Sequence, residues 1–254
     1  MTILLTGVGG SGVGHQFTFV STGATYTGSA NTAATAGYTA TWTIEGTAYN
    51  GLNPGTVALS GDKTVYFDIN PPDRLTVFDC RSNSLTGGLG RLDIFTSLSV
   101  LTLLDNALSG PFPNIANNTV IEIINVATNL FSGNLPDFST NIYVSELYFG
   151  DNAFSGLIPS FATNNSLNTL QVLSNNLTGV VAGWAVPASL VSARFETNLL
   201  TQAAVDTILV AFVTAGATGA YTLNIGGVGN AVPSLTGATA KSTLQGRGWT
   251  VTTN

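Results

Sequence analysis

Through the middle of the chain, apolar residues fall into a frame that returns every 23 positions. Leu75, Phe78, Cys80 and Leu85 surround Asn83; Leu98, Leu101, Leu103 and Leu108 surround Asn106; Ile121, Ile124, Val126 and Phe131 surround Asn129. The frame continues with Val144, Leu147, Phe149 and Phe154 around Asn152, then Leu167, Leu170, Val172 and Leu177 around Asn175. Leu190, Ala193, Phe195 and Leu200 complete it around Asn198. Six turns without a register slip predict stacked coils. In each coil the two apolar residues before the Asn are two positions apart, so they point inward from a short strand while their neighbours point out. Strands of successive coils then pair in parallel about 4.8 Å apart, and six of them span on the order of 25 Å.

Where the chain leaves each strand, its amides lose their sheet partners. A side-chain amide placed there can donate to and accept from backbone groups of its own and the adjacent coil. Asn83, Asn106, Asn129, Asn152, Asn175 and Asn198 are therefore expected to form an internal structural ladder. The frame resembles the L-x-x-L-x-L-x-x-N-x-L pattern of leucine-rich repeats over residues 73–200. Gly110 to Pro113, Gly133 to Pro136 and Gly156 to Pro159 resemble the Gly-x-x-Pro variant of plant receptor ectodomains and of many bacterial and bacteriophage proteins. The resemblance implies a β-dominated α/β solenoid with six 23-residue coils and a parallel concave sheet, used as an interaction scaffold. Cys80 sits where other coils place Leu, Val or Phe, which predicts a buried thiol acting as a small hydrophobe.

A solenoid exposes its core at both ends unless capped. After the last coil, Thr201 is suited to cap a helix carrying Val205, Ile208, Leu209 and Phe212 on one face, with Gly216 ending it. A strand at Tyr221 to Ile225, a helix from about Thr236 to Leu244 stopped by Gly246, and a strand from Trp249 complete an αβ cap over residues 201–254. Ahead of the repeats, Phe17 to Val20, Ala24 to Thr27, Tyr38 to Ile44 and Thr64 to Ile69 alternate apolar residues with polar ones, mostly Thr, as half-buried strands do. Residues 1–72 are thus expected to form an antiparallel β module that caps the first coil and attaches the protein to something else. The run from Trp42 through Asn53 to the Thr64 strand is similar to polycystic-kidney-disease-type β-sandwich modules.

Composition narrows the function. Of 254 residues only 8% are charged, with 7 basic and 13 acidic side chains, against about a quarter in ordinary soluble domains. Seven cations cannot neutralise many phosphates, so no nucleic-acid partner is expected. The uncharged stretch from Asp206 to Lys241 is broken by Thr, Asn, Gly and Pro, and no membrane span is expected. One Cys and one His exclude an intrachain disulfide and His-pair or Cys-based metal sites. Met1 to Leu5 lacks a cation ahead of its apolar run, so a Sec-type export signal is not expected.

Gly7 to Gly12 matches G-x-G-x-x-G, but a strand pattern follows it where a dinucleotide site needs a helix, and no acid appears until Glu45. No cofactor is expected, and the glycines read as a flexible connector. His15 has no triad partners in a recognisable motif. Asn117, Asn164 and Asn176 begin glycosylation triplets and are expected to be unmodified. Glu146 and Glu196, two coils apart, are the one carboxylate pair whose separation invites a carbohydrate-hydrolase reading, a remote alternative to a non-enzymatic protein.

Outward strand positions build the candidate binding face. Its central column is Asp79, Thr102, Asn125, Tyr148, Gln171 and Arg194, with Arg81, Glu146 and Glu196 beside it. Planar amides, a Tyr and opposite charges suit hydrogen bonding to glycans or to a protein loop. The composition and the bacteriophage resemblance lead to the expectation of a virion component: a capsid-decoration, head-fibre or tail-fibre protein within a larger assembly. Its expected partners are other virion or surface proteins through the N-terminal module, and host-surface or mucus glycans or proteins. The alternative is a bacterial surface or secreted adhesion module, located outside the cell.

Overall fold

The computed structural model describes residues 15–22, 25–32, 39–45, 47–59 and 63–254. Seven strands come first: β1 (His15–Ser21), β2 (Thr25–Thr27), β3 (Ser29–Thr32), β4 (Thr39–Ile44), β5 (Thr47–Asn50), β6 (Thr56–Ala58) and β7 (Lys63–Asn70). Five coils then contribute two strands each: β8 (Leu75–Asp79) and β9 (Leu85–Gly87), β10 (Val100–Thr102) and β11 (Ala107–Pro111), β12 (Ile123–Asn125) and β13 (Leu130–Gly133), β14 (Glu146–Tyr148) and β15 (Ala153–Ile158), β16 (Thr169–Gln171) and β17 (Asn176–Val180). The sixth coil gives β18 (Ser192–Arg194), followed by α1 (Gln202–Ala215), β19 (Thr222–Asn224), α2 (Leu235–Gly246) and β20 (Thr250–Thr252). The Gly7 to Gly12 connector lies outside the described residues.

The first strand of each coil enters a parallel concave sheet in strict register. Leu101 pairs with Phe78 and Ile124, Leu147 with Ile124 and Leu170, so inward positions stack on inward positions. Phe78, Leu101, Ile124, Leu147 and Ala193 are fully buried, as is Cys80. The cap proves to be two further coils: β19 and β20 add to this sheet in parallel beyond β18. Thr201 caps α1 by accepting from Ala204 N at 3.3 Å, and Gly216 ends it at φ +83°. Helix α2 runs through Gly246, and the left-handed residue is Gly248 at φ +93°. A second, unanticipated sheet forms from the residues just after each ladder Asn: β9, β11, β13, β15 and β17 pair in parallel.

The N-terminal strands are antiparallel: β2 and β6 pair with each other in a two-stranded sheet, and the other five are the outer strands of the two repeat sheets. β3 pairs with β8 on the concave side, while β1 joins β9 and is followed by β7, β4 and β5. Between them Trp42 and Phe67 pack onto Phe78 of the first coil and Tyr26 packs onto Trp42, with Trp42 centred 4.4 Å from Phe67 and 5.9 Å from Phe78.

The asparagines bond one coil to the next. Asn129 Oδ1 accepts from Leu108 N at 3.0 Å, and its Nδ2 donates to Leu103 O and Val126 O. Asn106, Asn152, Asn175 and Asn198 repeat the scheme. For Asn83 the preceding coil is replaced by Thr27, whose N–H donates to Oδ1 at 2.6 Å and whose carbonyl accepts from Nδ2. Asn230 is a seventh rung, accepting from Leu200 N and donating to Phe195 O and Ile225 O. To aim these side chains inward the residue before each of the six periodic ones turns left-handed: Ser82, Asp105, Thr128, Asp151, Ser174 and Thr197 have φ of 50–58°. The strained conformation is held because the N–H of each donates to a carbonyl one coil on, as in Thr128 N to Gly150 O at 3.0 Å.

A second ladder runs through the loops leading into the concave strands. Asn118, Asn141 and Asn164 are fully buried and each donates both amide hydrogens to carbonyls of the preceding coil. Their Oδ1 atoms have no hydrogen-bond partner. Of the three glycosylation triplets, Asn164 is therefore enclosed, whereas Asn117 and Asn176 are exposed.

Candidate concave binding face

All nine candidate residues fall on the concave sheet or at its strand ends, and register sets their columns. Asp79, Thr102, Asn125, Tyr148, Gln171 and Arg194 pair directly from strand to strand. Arg81 and Glu196 lie two residues past that column, and Glu146 lies two before it.

Three i, i+2 pairs form within single coils. Arg81 holds Asp79 at 2.6 Å with its guanidinium largely exposed, and the bond raises the arginine's pKa. Arg194 holds Glu196 through Nε at 2.7 Å and through Nη2. Glu196 is only 8% exposed, and its Oε2 is enclosed with no partner. At the centre Tyr148 donates to Glu146 Oε2 at 2.7 Å. Burial first, and then that bond, push the Tyr148 phenol up to about 12, so it remains a donor at neutral pH. The two ion pairs stay at opposite ends of the six-coil face, with four strands between them. Between them Thr102 is buried, Asn125 Oδ1 accepts from Ala127 N at 3.2 Å, and Gln171 is half-buried. Leu173 lies across Gly150, where a Cβ would come within 2.7 Å of its Cδ2.

Several contributors were not singled out from sequence. Val77, Val100 and Ile123 form an outward column in direct register, continued by Glu146, Thr169 and Ser192. The same 23-residue frame carries them, two positions before the central column. Asn224 and Thr252 extend the central column onto β19 and β20.

Glu146 and Glu196 do not make a hydrolase pair. They occupy columns on opposite sides of the central one, the first bound by a phenol and the second enclosed against an arginine. His15 begins β1. Among the described residues no group of three or more His, Cys, Asp or Glu could hold a metal ion, and no helix is long and apolar enough to cross a membrane. Two hollows beside α1, one against Trp184 and Val186 and one against α2, contain no candidate residue. What the face offers is hydrogen bonding, apolar contact and charge.

No family model matches the chain, and no curated protein matches it. Solved structures do. The plant peptide hormone receptor RGFR1 in complex with RGF2 superposes with a TM-score of 0.55 at 19% identity, covering 72% of this chain and 29% of the receptor. PEPR1 with AtPEP1 gives 0.53 at 21%, covering 71% and 25%. The leucine-rich-repeat ectodomain of the receptor kinase SOBIR1 from Arabidopsis thaliana is 25% identical over 55% of this chain and 75% of its own, with a TM-score of 0.44. The chain thus has a leucine-rich-repeat-like β-solenoid fold and spans under a third of the two receptors with the higher scores.

These likenesses overturn the expectation of a bacteriophage particle component, whether capsid decoration, head fibre or tail fibre, and with it the virion location and virion partners. The repeat frame that suggested a phage protein is dictated by how coils stack, and plant receptor ectodomains carry the same frame. It therefore identifies an architecture and no particle.

Proposed function

We propose that the protein is a non-enzymatic binding module working outside a cell, and that its concave face recognises an extended segment of another protein. The observation that carries this reading is the in-register presentation of Asn125, Tyr148 and Gln171 on an open sheet between two ion pairs. A strand-wide row of amide, hydroxyl and aromatic groups matches the side chains and backbone of an extended chain better than a compact small molecule, which would need an enclosing pocket. RGFR1 with RGF2 and PEPR1 with AtPEP1 lend the analogy of peptide partners; at 19% and 21% identity they speak for the fold alone. In this reading residues 73–200 form the recognition unit and 201–254 close it. Residues 1–72, with their likeness to a polycystic-kidney-disease-type module, close the other end and provide attachment.

The test is selection of a random twelve-residue peptide library on the immobilised chain. Recovered peptides should lose at least about tenfold in affinity to Tyr148→Ala or Gln171→Ala, with melting temperature held within a few degrees. Recovery of peptides indifferent to both substitutions would refute the reading.

A further inference from the structure

We infer that the partner is cationic: the concave face is built for an extended segment that sets apolar side chains against the first three coils and Lys or Arg against the next. This rests on the concave-face reading above and adds the chemistry of what binds there.

The sequence between Arg91 and Arg194 contains six carboxylates and no Lys, Arg or His. Asp93 is taken by Arg91, and Asp137 caps a loop by accepting from Ser139 N. The other four gather around the concave sheet. Asp105 and Asp151 occupy left-handed turns at the rim where the strands leave it, and both are exposed. Glu122 is exposed at the opposite rim, one residue ahead of β12, and Glu146 lies between the rims in β14. The side-chain donors seen on them are neutral hydroxyls: Ser82 on Asp105 at 3.1 Å and Tyr148 on Glu146 at 2.7 Å. The two arginines of the face, Arg81 and Arg194, are held by their own carboxylates in other coils.

Carboxylates on both rims and in the middle of a trough focus a negative potential into it, and the net charge of −6 extends that field outward. A Lys or Arg entering there gains attraction without displacing a resident cation. The apolar half of the site adjoins it in register: Val77, Val100 and Ile123 stand side by side, and Glu146 is the next residue in the same column. Three strand spacings separate Val77 from Glu146, roughly 14 Å, a length that about four extended residues cover. A segment with one or two aliphatic residues followed within about four positions by Lys or Arg fits both halves at once.

The composition of the peptides recovered from the twelve-residue library decides the matter. Enrichment of Lys and Arg over Asp and Glu, beside aliphatic residues, is expected. Affinity should fall about tenfold with Glu146→Gln or Glu122→Gln, fall with added salt, and stay within twofold for Asp137→Asn on a loop away from the face. Should Glu146→Gln fold poorly, Glu122→Lys at its exposed position gives the same readout. Neutral or acidic peptides that still depend on Tyr148 would overturn the cationic partner and leave the concave-face reading standing. Cationic peptides weakened equally by Asp137→Asn would overturn it as well, since the attraction would then belong to the whole molecule. Peptides that ignore Tyr148 and Gln171 altogether would remove both.

Discussion

At its N-terminal end the chain doubles back, laying β3 antiparallel on β8 and driving Trp42 into a cluster of four aromatic rings. At its C-terminal end it runs on, adding β19 and β20 in parallel and replacing each coil's return loop with a helix. Both ends face the same two deficits: an apolar interior open to water, and an Asn ladder that needs backbone partners on either side. The first end meets them with unrelated chain, Thr27 standing in for a coil at Asn83. The second meets them with stretched copies of the repeat, Asn230 standing 32 residues after Asn198 where the frame would place it 23 after. Borrowed chain must be held by packing, whereas continued repeat is held by register.

The contrast can be pressed at four places, from the largest effect down. Trp42→Ala empties the aromatic cluster of its central, fully buried ring and should cost about 3–5 kcal/mol in a urea melt; amide exchange should show β1 to β7 opening while β14 to β18 stay protected. Removing a terminal rung comes next. Asn83→Ala and Asn230→Ala each strand buried backbone groups at about 1–3 kcal/mol apiece. The first should deprotect β2 and the second the start of α1, and deprotection of the same segment by both would erase the distinction between the ends.

Alkali should separate them third. Burial pushes the Cys80 thiol up to about 12, and Tyr26, hydrogen-bonded to it at 3.3 Å, is raised by burial too. The folded state keeps protons that the unfolded chain releases, so this contribution is intact below the unfolded thiol's value near 8.5 and is lost as pH climbs toward 12. One unit above that value the loss from Cys80 is about 1.4 kcal/mol, and Cys80→Val should flatten the slope in melts between pH 8 and 10. The smallest effect is Thr201→Ala, which removes the cap of α1 and should cost about 1 kcal/mol, read as a lower melting temperature with the N-terminal strands unaffected.

What could be read from sequence follows from what repeats. The concave columns and the inward stacks obey one 23-residue frame, so Tyr148 and Leu147 could be assigned to opposite faces before any coordinates. Helix α1 was visible through its cap and apolar spacing, whereas α2 was legible only as a segment from about Thr236 to Leu244, without its Ser234 cap. The second ladder carried the same period, at Asn118, Asn141 and Asn164, but it lies in loops where no apolar alternation draws the eye. Asn230 escaped because α1 lengthens its coil. The N-terminal docking was invisible for a different reason: the contacts of Tyr26 with Cys80 and of Thr27 with Asn83 join residues 54 and 56 apart that share no pattern. Self-pairing of the face charges, Arg81 with Asp79 and Arg194 with Glu196, depends on side-chain reach along one strand, which column assignment alone does not supply.

Because each rung is satisfied by its immediate neighbours alone, the solenoid behaves as a ruler with interchangeable divisions. Deleting or duplicating one 23-residue unit in the middle would keep both closures and the recurring coil-to-coil pattern of backbone and ladder hydrogen bonds, while moving the apolar half of the trough relative to Arg194 by one strand spacing, about 4.8 Å. Gene duplication could thus retune the length of segment accommodated without redesigning either closure.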